Sequence, residues 1–207
     1  MAVHERFRIK TLEDLETLSK RLGLSIPFQA DTTILFDNVQ IGNCEAPNRF
    51  AVLPMEGFDA DSKGAPQELT FRRYGRYAAG QNGLIWFEAT AIMEEGRSNP
   101  RQLWINKDNI DIYKQLVDFT RDMAYKSYGS EHTPVLVLQL THSGRYSKPT
   151  GKPAPIIAHN SPYLDPLHNL PKNYAPATDE YLDLLQDKFV EAAKLAAQAG
   201  FDGIDIK

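Results

Sequence analysis

Short, unbroken apolar runs alternate along this chain with stretches of helical spacing, and that alternation constrains its fold more than any other feature. The runs are Phe50-Ala51-Val52-Leu53, Leu84-Ile85-Trp86-Phe87, residues 134–140 (PVLVLQL) and Gly203-Ile204-Asp205-Ile206. Continuous apolar runs of this length read as strands buried on both faces. Three helices separate them. Residues 66–79 carry Leu69, Tyr74 and Tyr77 at apolar positions and stop at Gly80. Residues 109–125 follow a cap at Asp108, bear the stripe Ile112, Leu116, Phe119 and Met123, and close at Gly129. Residues 179–199 follow Thr178, bear Leu182, Leu185, Phe189, Ala193 and Ala196, and stop at Gly200. Strand, loop and helix in this order imply parallel strands joined by right-handed crossovers.

Two further elements precede the repeat. Residues 11–21 read as a helix capped by Thr11, with Leu12, Leu15, Leu18 and Leu22 at helical spacing and Gly23 as its stop. Ile34-Leu35-Phe36 and Val39-Gln40-Ile41 flank Asp37-Asn38, which predicts a small β-hairpin turning at those two residues. The N-terminus, MAVHERFRIK, is charged and lacks a signal peptide's apolar segment. The longest apolar stretch, 134–140, is far short of the roughly 20 residues that span a bilayer. With 23 Lys+Arg against 27 Asp+Glu and no basic block, the chain offers no electrostatic footprint for nucleic acid. Its single cysteine, Cys44, excludes an internal disulfide and any multi-cysteine metal site. The expectation is a cytoplasmic protein with neither nucleic acid nor membrane as a partner.

An open, doubly wound sheet and a (β/α)₈ barrel both satisfy the alternation. The loop after the first run begins Pro54-Met55-Glu56-Gly57, with no Gly-rich dinucleotide fingerprint, which argues against the doubly wound alternative. A domain boundary inside an apolar strand is unusual, because boundaries fall in exposed linkers. Residues 203–207 therefore suggest a fragment truncated in its fourth strand. Val52, Leu53, Ile85, Val137 and Ile206 are then expected to face a missing half.

Chemistry concentrates where the strands end. The first ends in Pro54-Met55-Glu56, the second in Glu88-Ala89-Thr90, the third in Gln139-Leu140-Thr141-His142, followed by Gly144-Arg145. In a parallel barrel that is the active-site face. Ala89 leaves room beside it, and the Gln139 amide both donates and accepts, matching the edge of a flat, polar ring such as a flavin pyrimidine. Taken singly, Gln139 could simply satisfy a strand end and His142 sit in a solvated loop; polar groups at three successive strand ends favour a site. Glu56 and Glu88 could instead form a glycosidase-like acid/base pair, although a structural partner for Glu88, Arg97 or Arg145, is the plainer reading. Arg72-Arg73 reads as a solvated helix face, and Trp86 and Trp104 as packing residues.

From Ile34 onward the chain resembles the Old Yellow Enzyme family of FMN-dependent oxidoreductases, which are (β/α)₈ barrels. The resemblance rests on ILFDNVQIGN, on Asn48-Arg49-Phe50 leading to Pro54-Met55, and on Gly83-Leu84-Ile85 leading to Glu88-Ala89-Thr90. It continues through Glu95-Gly96-Arg97, Gln139-Leu140-x-His142-x-Gly144-Arg145, Ala192-Ala193 and Ala199-Gly200-Phe201-Asp202-Gly203. It implies an FMN site containing Pro54, Met55, Glu56, Ala89, Gln139 and Arg145, with Phe58 and His142 on the substrate side. It also implies hydride transfer from NADH or NADPH through FMN to an activated alkene. Three positions depart from the family pattern. Glu56 stands where a small residue is usual, Phe58 where some relatives carry a Tyr, and Lys207 where a carbonyl-binding His is usual, which makes Lys207 the catalytic candidate. The expected organisation is an N-terminal helical extension, 1–30, and the N-terminal half of an FMN-binding barrel, 31–207. Such a half calls for a missing C-terminal half or a homo-oligomer; a non-catalytic half-barrel or assembly module is the competing reading.

Overall fold

The computed structural model describes residues 8–207, so the start of the charged N-terminus lies outside the described residues. The chain forms two compact units, divided between Ile34 and Leu35. In the first, helix α1 (Leu12–Leu22) starts at a capping box: Thr11 accepts from the Asp14 N–H while the Asp14 carboxylate accepts from the Thr11 N–H. It ends at Gly23, whose φ of 64° provides the left-handed cap. Both ends fall within one residue of the sequence expectation.

The second unit opens with a hairpin, displaced from its expected place. Residues 33–36 form a 3₁₀ turn. The antiparallel pair is β1 (Val39–Ile41) with β2 (Cys44–Ala46), registered Ile41 to Cys44. Gly42, at φ 58°, makes the turn without a Cβ penalty, which Asp37-Asn38 could only partly avoid.

Four parallel strands follow, in the order β3 (Ala51–Val52), β4 (Leu84–Ala91), β5 (Val135–Thr141) and β6 (Gly203–Ile206). Helices α2 (Glu68–Ala79), α3 (Ile110–Tyr128) and α5 (Asp179–Ala199) make the crossovers. The long connection after β5 holds a 3₁₀ turn, Gly144–Tyr146, and a short helix, α4 (Leu164–Leu167). Asn109, not Asp108, caps α3, and the helix runs to Tyr128; the Asn109 side chain is engaged with the Trp104 and Lys63 carbonyls instead of the helix N–H groups.

Register sorts the sheet into two faces. Phe87, Leu138 and Ile204 align on one, Trp86, Val137 and Gly203 on the other. The first face packs on the helices: Phe87 stacks on Tyr74 of α2 at 3.9 Å between ring centroids and meets Phe201 edge-on at 4.9 Å. Ile85, Leu116, Leu136, Leu138, Leu140 and Ala196 complete this core. Ile85 is fully buried there and Val52, its register partner, packs against the same core, so the expectation that these two face a missing half is corrected. The first and last strands differ from the expected double burial. β3 is only two residues long, Leu53 beyond it is 68% exposed, and Ile206 in β6 is 65% exposed. Both strands lie at sheet edges, with one neighbour each, and one neighbour cannot cover both sides.

Candidate functional site

The C-terminal ends of the four strands converge on one patch. Pairing between β3 and β4 stops at Val52–Ile85, so residues 53–55 leave the ladder. Pro54 is half-buried and Met55 is 73% exposed beside it. On β4, Phe87 pairs with Leu138 and Thr90 with Leu140. Glu88 and Ala89 therefore face Gln139 alone, a two-against-one bulge of the kind that re-aims side chains. Buried Ala89 adds no bulk there. Its carbonyl accepts from Gln102 Nε2 at 2.9 Å. Gln139, also buried, donates from Nε2 to Asp205 Oδ2 of β6 at 2.7 Å.

The bulge turns Glu88 away from the mouth and into a buried ion network. Its Oε2 accepts from the Gly57 N–H at 2.7 Å, its Oε1 accepts from the Tyr74 hydroxyl at 3.2 Å, and Arg73 pairs with the same oxygen. Arg73 also binds Asp59 at 2.5 Å, and Asp59 accepts from the Thr70 hydroxyl at 2.6 Å. Burial pushes the Glu88 carboxyl up despite the guanidinium beside it. Burial also raises Asp59, but Arg73 and Thr70 outweigh it and hold Asp59 below the usual carboxylate range. Two expectations are corrected here. The partner of Glu88 is Arg73, while Arg97 binds the Ser62 and Pro100 carbonyls and Glu94, and Arg145 pairs with Asp165. Arg73 is not a solvated helix residue, because its position on α2 faces this bulge. With both oxygens engaged, Glu88 is a brace for the loop after β3 and not half of a glycosidase pair.

A second network joins three strand ends. Buried Gln102 accepts the Ser98 N–H at 2.6 Å; the Ser98 hydroxyl donates to Glu56 Oε2 at 3.0 Å; Glu56 Oε1 lies 3.6 Å from Lys207 Nζ. Glu56 thus meets a cation at the mouth. Lys207 itself continues the ladder, its N–H donating to the Leu140 carbonyl at 2.9 Å.

His142, just past β5, is half-buried. Its Nδ1 accepts the Gly144 N–H at 3.1 Å, which leaves Nε2–H to donate to the Tyr181 hydroxyl at 3.1 Å. Burial lowers the imidazole's pKa, opposed by the Glu95 charge, and raises the Tyr181 phenol to about 12. Phe58 is exposed and held at φ 50°, a left-handed conformation rare for a bulky residue. Arg145 holds the loop after β5 through Asp165 and the His159 carbonyl.

Sequence reasoning brought Pro54, Met55, Glu56, Ala89, Gln139 and Lys207 to the same sheet end, where the structure places them. It missed Arg73, Ser98, Gln102 and Asp205. Asp205 carried a signal, a lone carboxylate inside an otherwise apolar strand; Ser98 and Gln102 lie in a loop with no periodic pattern.

A four-stranded parallel sheet whose crossover helices pack on one face and whose polar groups gather at the strand C-termini belongs to the α/β class and matches the arrangement of part of a barrel. Comparison with known proteins makes the assignment specific: residues 34–207 match the NADH:flavin oxidoreductase / NADH oxidase family, and the chain belongs to it. An NADPH dehydrogenase of Geobacillus sp. (strain WCH70) is 33% identical over 175 residues, covering 84% of this chain and 47% of that protein. The chain therefore spans about half the length of the curated relatives it matches. Morphinone reductase in complex with tetrahydroNAD superposes with a TM-score of 0.65 at 22% identity, over 83% of this chain and 48% of that one. An old yellow enzyme homologue from Zymomonas mobilis gives 0.64 at 24% identity, over 83% and 47%. These likenesses establish the fold as part of a (β/α)₈ barrel. The family's cofactor is FMN, with NADH or NADPH as hydride donor. No described helix is long and apolar enough to cross a membrane.

Proposed function

We propose that residues 31–207 form the N-terminal half of an FMN-binding barrel that passes hydride from NADH or NADPH to the activated alkene of a small-molecule substrate. The carrying observation is the placement of an amide and an ammonium on neighbouring strands, Gln139 on β5 and Lys207 directly after β6. The donor set suits the ring end of FMN. Gln139 keeps its Oε1 and one N–H without a protein partner among the described residues, buried Ala89 adds no side chain beyond Cβ, and Pro54-Met55 provides an apolar shelf outside the strand ladder. FMN, when bound, supplies hydride transfer.

The chain's own groups do the rest. Lys207 donates to the substrate carbonyl oxygen, and a cation fixed where enolate charge develops stabilises the transition state. Glu56, oriented by Ser98, holds that ammonium over the mouth. Phe58 and His142 line the substrate side. The proposed setting is cytoplasmic, in keeping with a lone cysteine that forms no disulfide. The exposed edges at β3 and β6, with Leu53 and Ile206 uncovered, support completion of the barrel by further strands, from the same chain or from another.

Purified full-length protein is expected to be yellow, to release FMN on denaturation, and to oxidise NADH or NADPH faster when 2-cyclohexenone is present. Colourless protein that takes up no added FMN overturns the proposal.

A further inference from the structure

Asp205 sits inside a strand that otherwise reads as apolar, and its carboxylate has a specific partner. Gln139 and Asp205 are register partners on neighbouring strands, and Gln139 Nε2 donates to Asp205 Oδ2 at 2.7 Å. On the other flank of Gln139 lies the β4 bulge, whose Ala89 offers no side-chain donor or acceptor. The amide's orientation is therefore decided by Asp205. The two flips of a glutamine amide are nearly identical in shape and differ in which atom, oxygen or nitrogen, points each way. A carboxylate accepts and does not donate, so Asp205 takes an N–H and repels Oε1. One flip satisfies it and the other sets two acceptors against each other.

We infer that Asp205 is a positioning residue that locks the Gln139 amide in a single flip, so that Oε1 and the remaining N–H meet a bound flavin already oriented. The inference rests on the flavin reading of Gln139 given above. The physical gain is preorganisation: a side chain held in its bound orientation before the ligand arrives loses less freedom on binding. Asn at position 205 removes the constraint, since an amide both donates and accepts and so tolerates either flip.

Two measurements on the complete chain separate this inference from the reading beneath it. In apoprotein labelled with ¹⁵N-glutamine, with Gln139→Leu identifying the signal, the Gln139 side-chain protons are expected to be widely separated in shift and slow to exchange. In Asp205→Asn they should collapse towards free-glutamine values; identical signals in both proteins overturn the inference without reference to flavin. FMN affinity, read by quenching of flavin fluorescence, should then fall about tenfold in Asp205→Asn, the scale of one lost charge-assisted hydrogen bond. The same substitution should change nothing in a Gln139→Leu background. Equal losses in both backgrounds overturn the inference, because Asp205 would then act independently of Gln139. Gln139→Leu binding FMN as tightly as the wild type overturns the flavin reading itself, and the NMR result shows which of the two has failed. If Asp205→Asn does not fold, Asp205→Glu and Asp205→Ser replace it: Glu should preserve the separated amide signals and Ser should lose them, and the reverse pattern overturns the inference.

Discussion

The ammonium of Lys207 lies 3.6 Å from Oε1 of Glu56, joining the ends of the two edge strands of the parallel sheet. Two strands separate β3 from β6, so the contact requires two long side chains reaching over the ends of β4 and β5. Lys207 and Glu56 are 55% and 21% exposed at their side chains, so the pair stays open to small molecules at the mouth. An exposed pair of this kind contributes little to stability, about 0–1 kcal/mol; its value is in where it holds the cation.

Lys207→Met is therefore expected to slow reduction of an enone by roughly 100-fold, the usual effect of removing one oxyanion donor, and to leave reduction of the flavin by NADH or NADPH nearly unchanged. Stopped-flow measurement of the two half-reactions checks this. Equal loss in both would assign Lys207 to flavin binding or folding.

Arg73 is shared by two carboxylates that have little access to water, Asp59 and Glu88. Arg73→Met should cost about 3–5 kcal/mol, because it leaves both acids without their counter-charge. Urea unfolding measures the loss, and Arg73→Met/Glu88→Gln should recover part of it. A stability within about 1 kcal/mol of the wild type would show that the network is water-exposed in solution.

Acidification should destabilise the fold through its histidines. Burial lowers the pKa of both His132 and His142. In the unfolded chain imidazoles take a proton near pH 6.5, so on acidification the unfolded state binds protons first. This contribution to stability is fully present above that value and is lost as the pH falls through it towards the folded values. Unfolding midpoints in urea at about pH 7.5 and about pH 5.5 should differ more for the wild type than for His142→Asn. An equal difference in the two proteins would assign the pH dependence elsewhere.

Gly64 joins the loop after β3 to Trp104. Its φ is +80°, and a Cβ there would lie 2.5 Å from the Trp104 Cβ and 2.7 Å from its backbone nitrogen. Gly64→Ala is expected to lose at least roughly 1–3 kcal/mol from the backbone conformation alone, with the clash against Trp104 in addition. Thermal unfolding of the variant checks this, and an unshifted midpoint would mean that the loop relocates freely.

The chain's local chemistry determined the order of its elements. Thr11 with Asp14, Thr178, Gly23 and Gly200 fixed helix ends to within a residue, because a cap is decided by the few residues around it. The runs at 84–87 and 134–140 determined the central strands, observed at 84–91 and 135–141, since most of their residues are buried and apolar runs of this kind seek cover on both faces. The ends of those strands made Ala89 and Gln139 legible as neighbours, because parallel strands bring their C-termini to one side; Lys207 was legible only through the family resemblance. Tertiary structure decided the rest. Whether Arg73 faced water or the β4 bulge depended on the crossing of α2 over the sheet, and no local pattern encodes that crossing. Glu56 found Lys207, and Gln139 found Asp205, across 151 and 66 residues of sequence. Electrostatic partners at such separations are chosen by register and the two-residue bulge opposite Gln139, which exist only once the strands have paired.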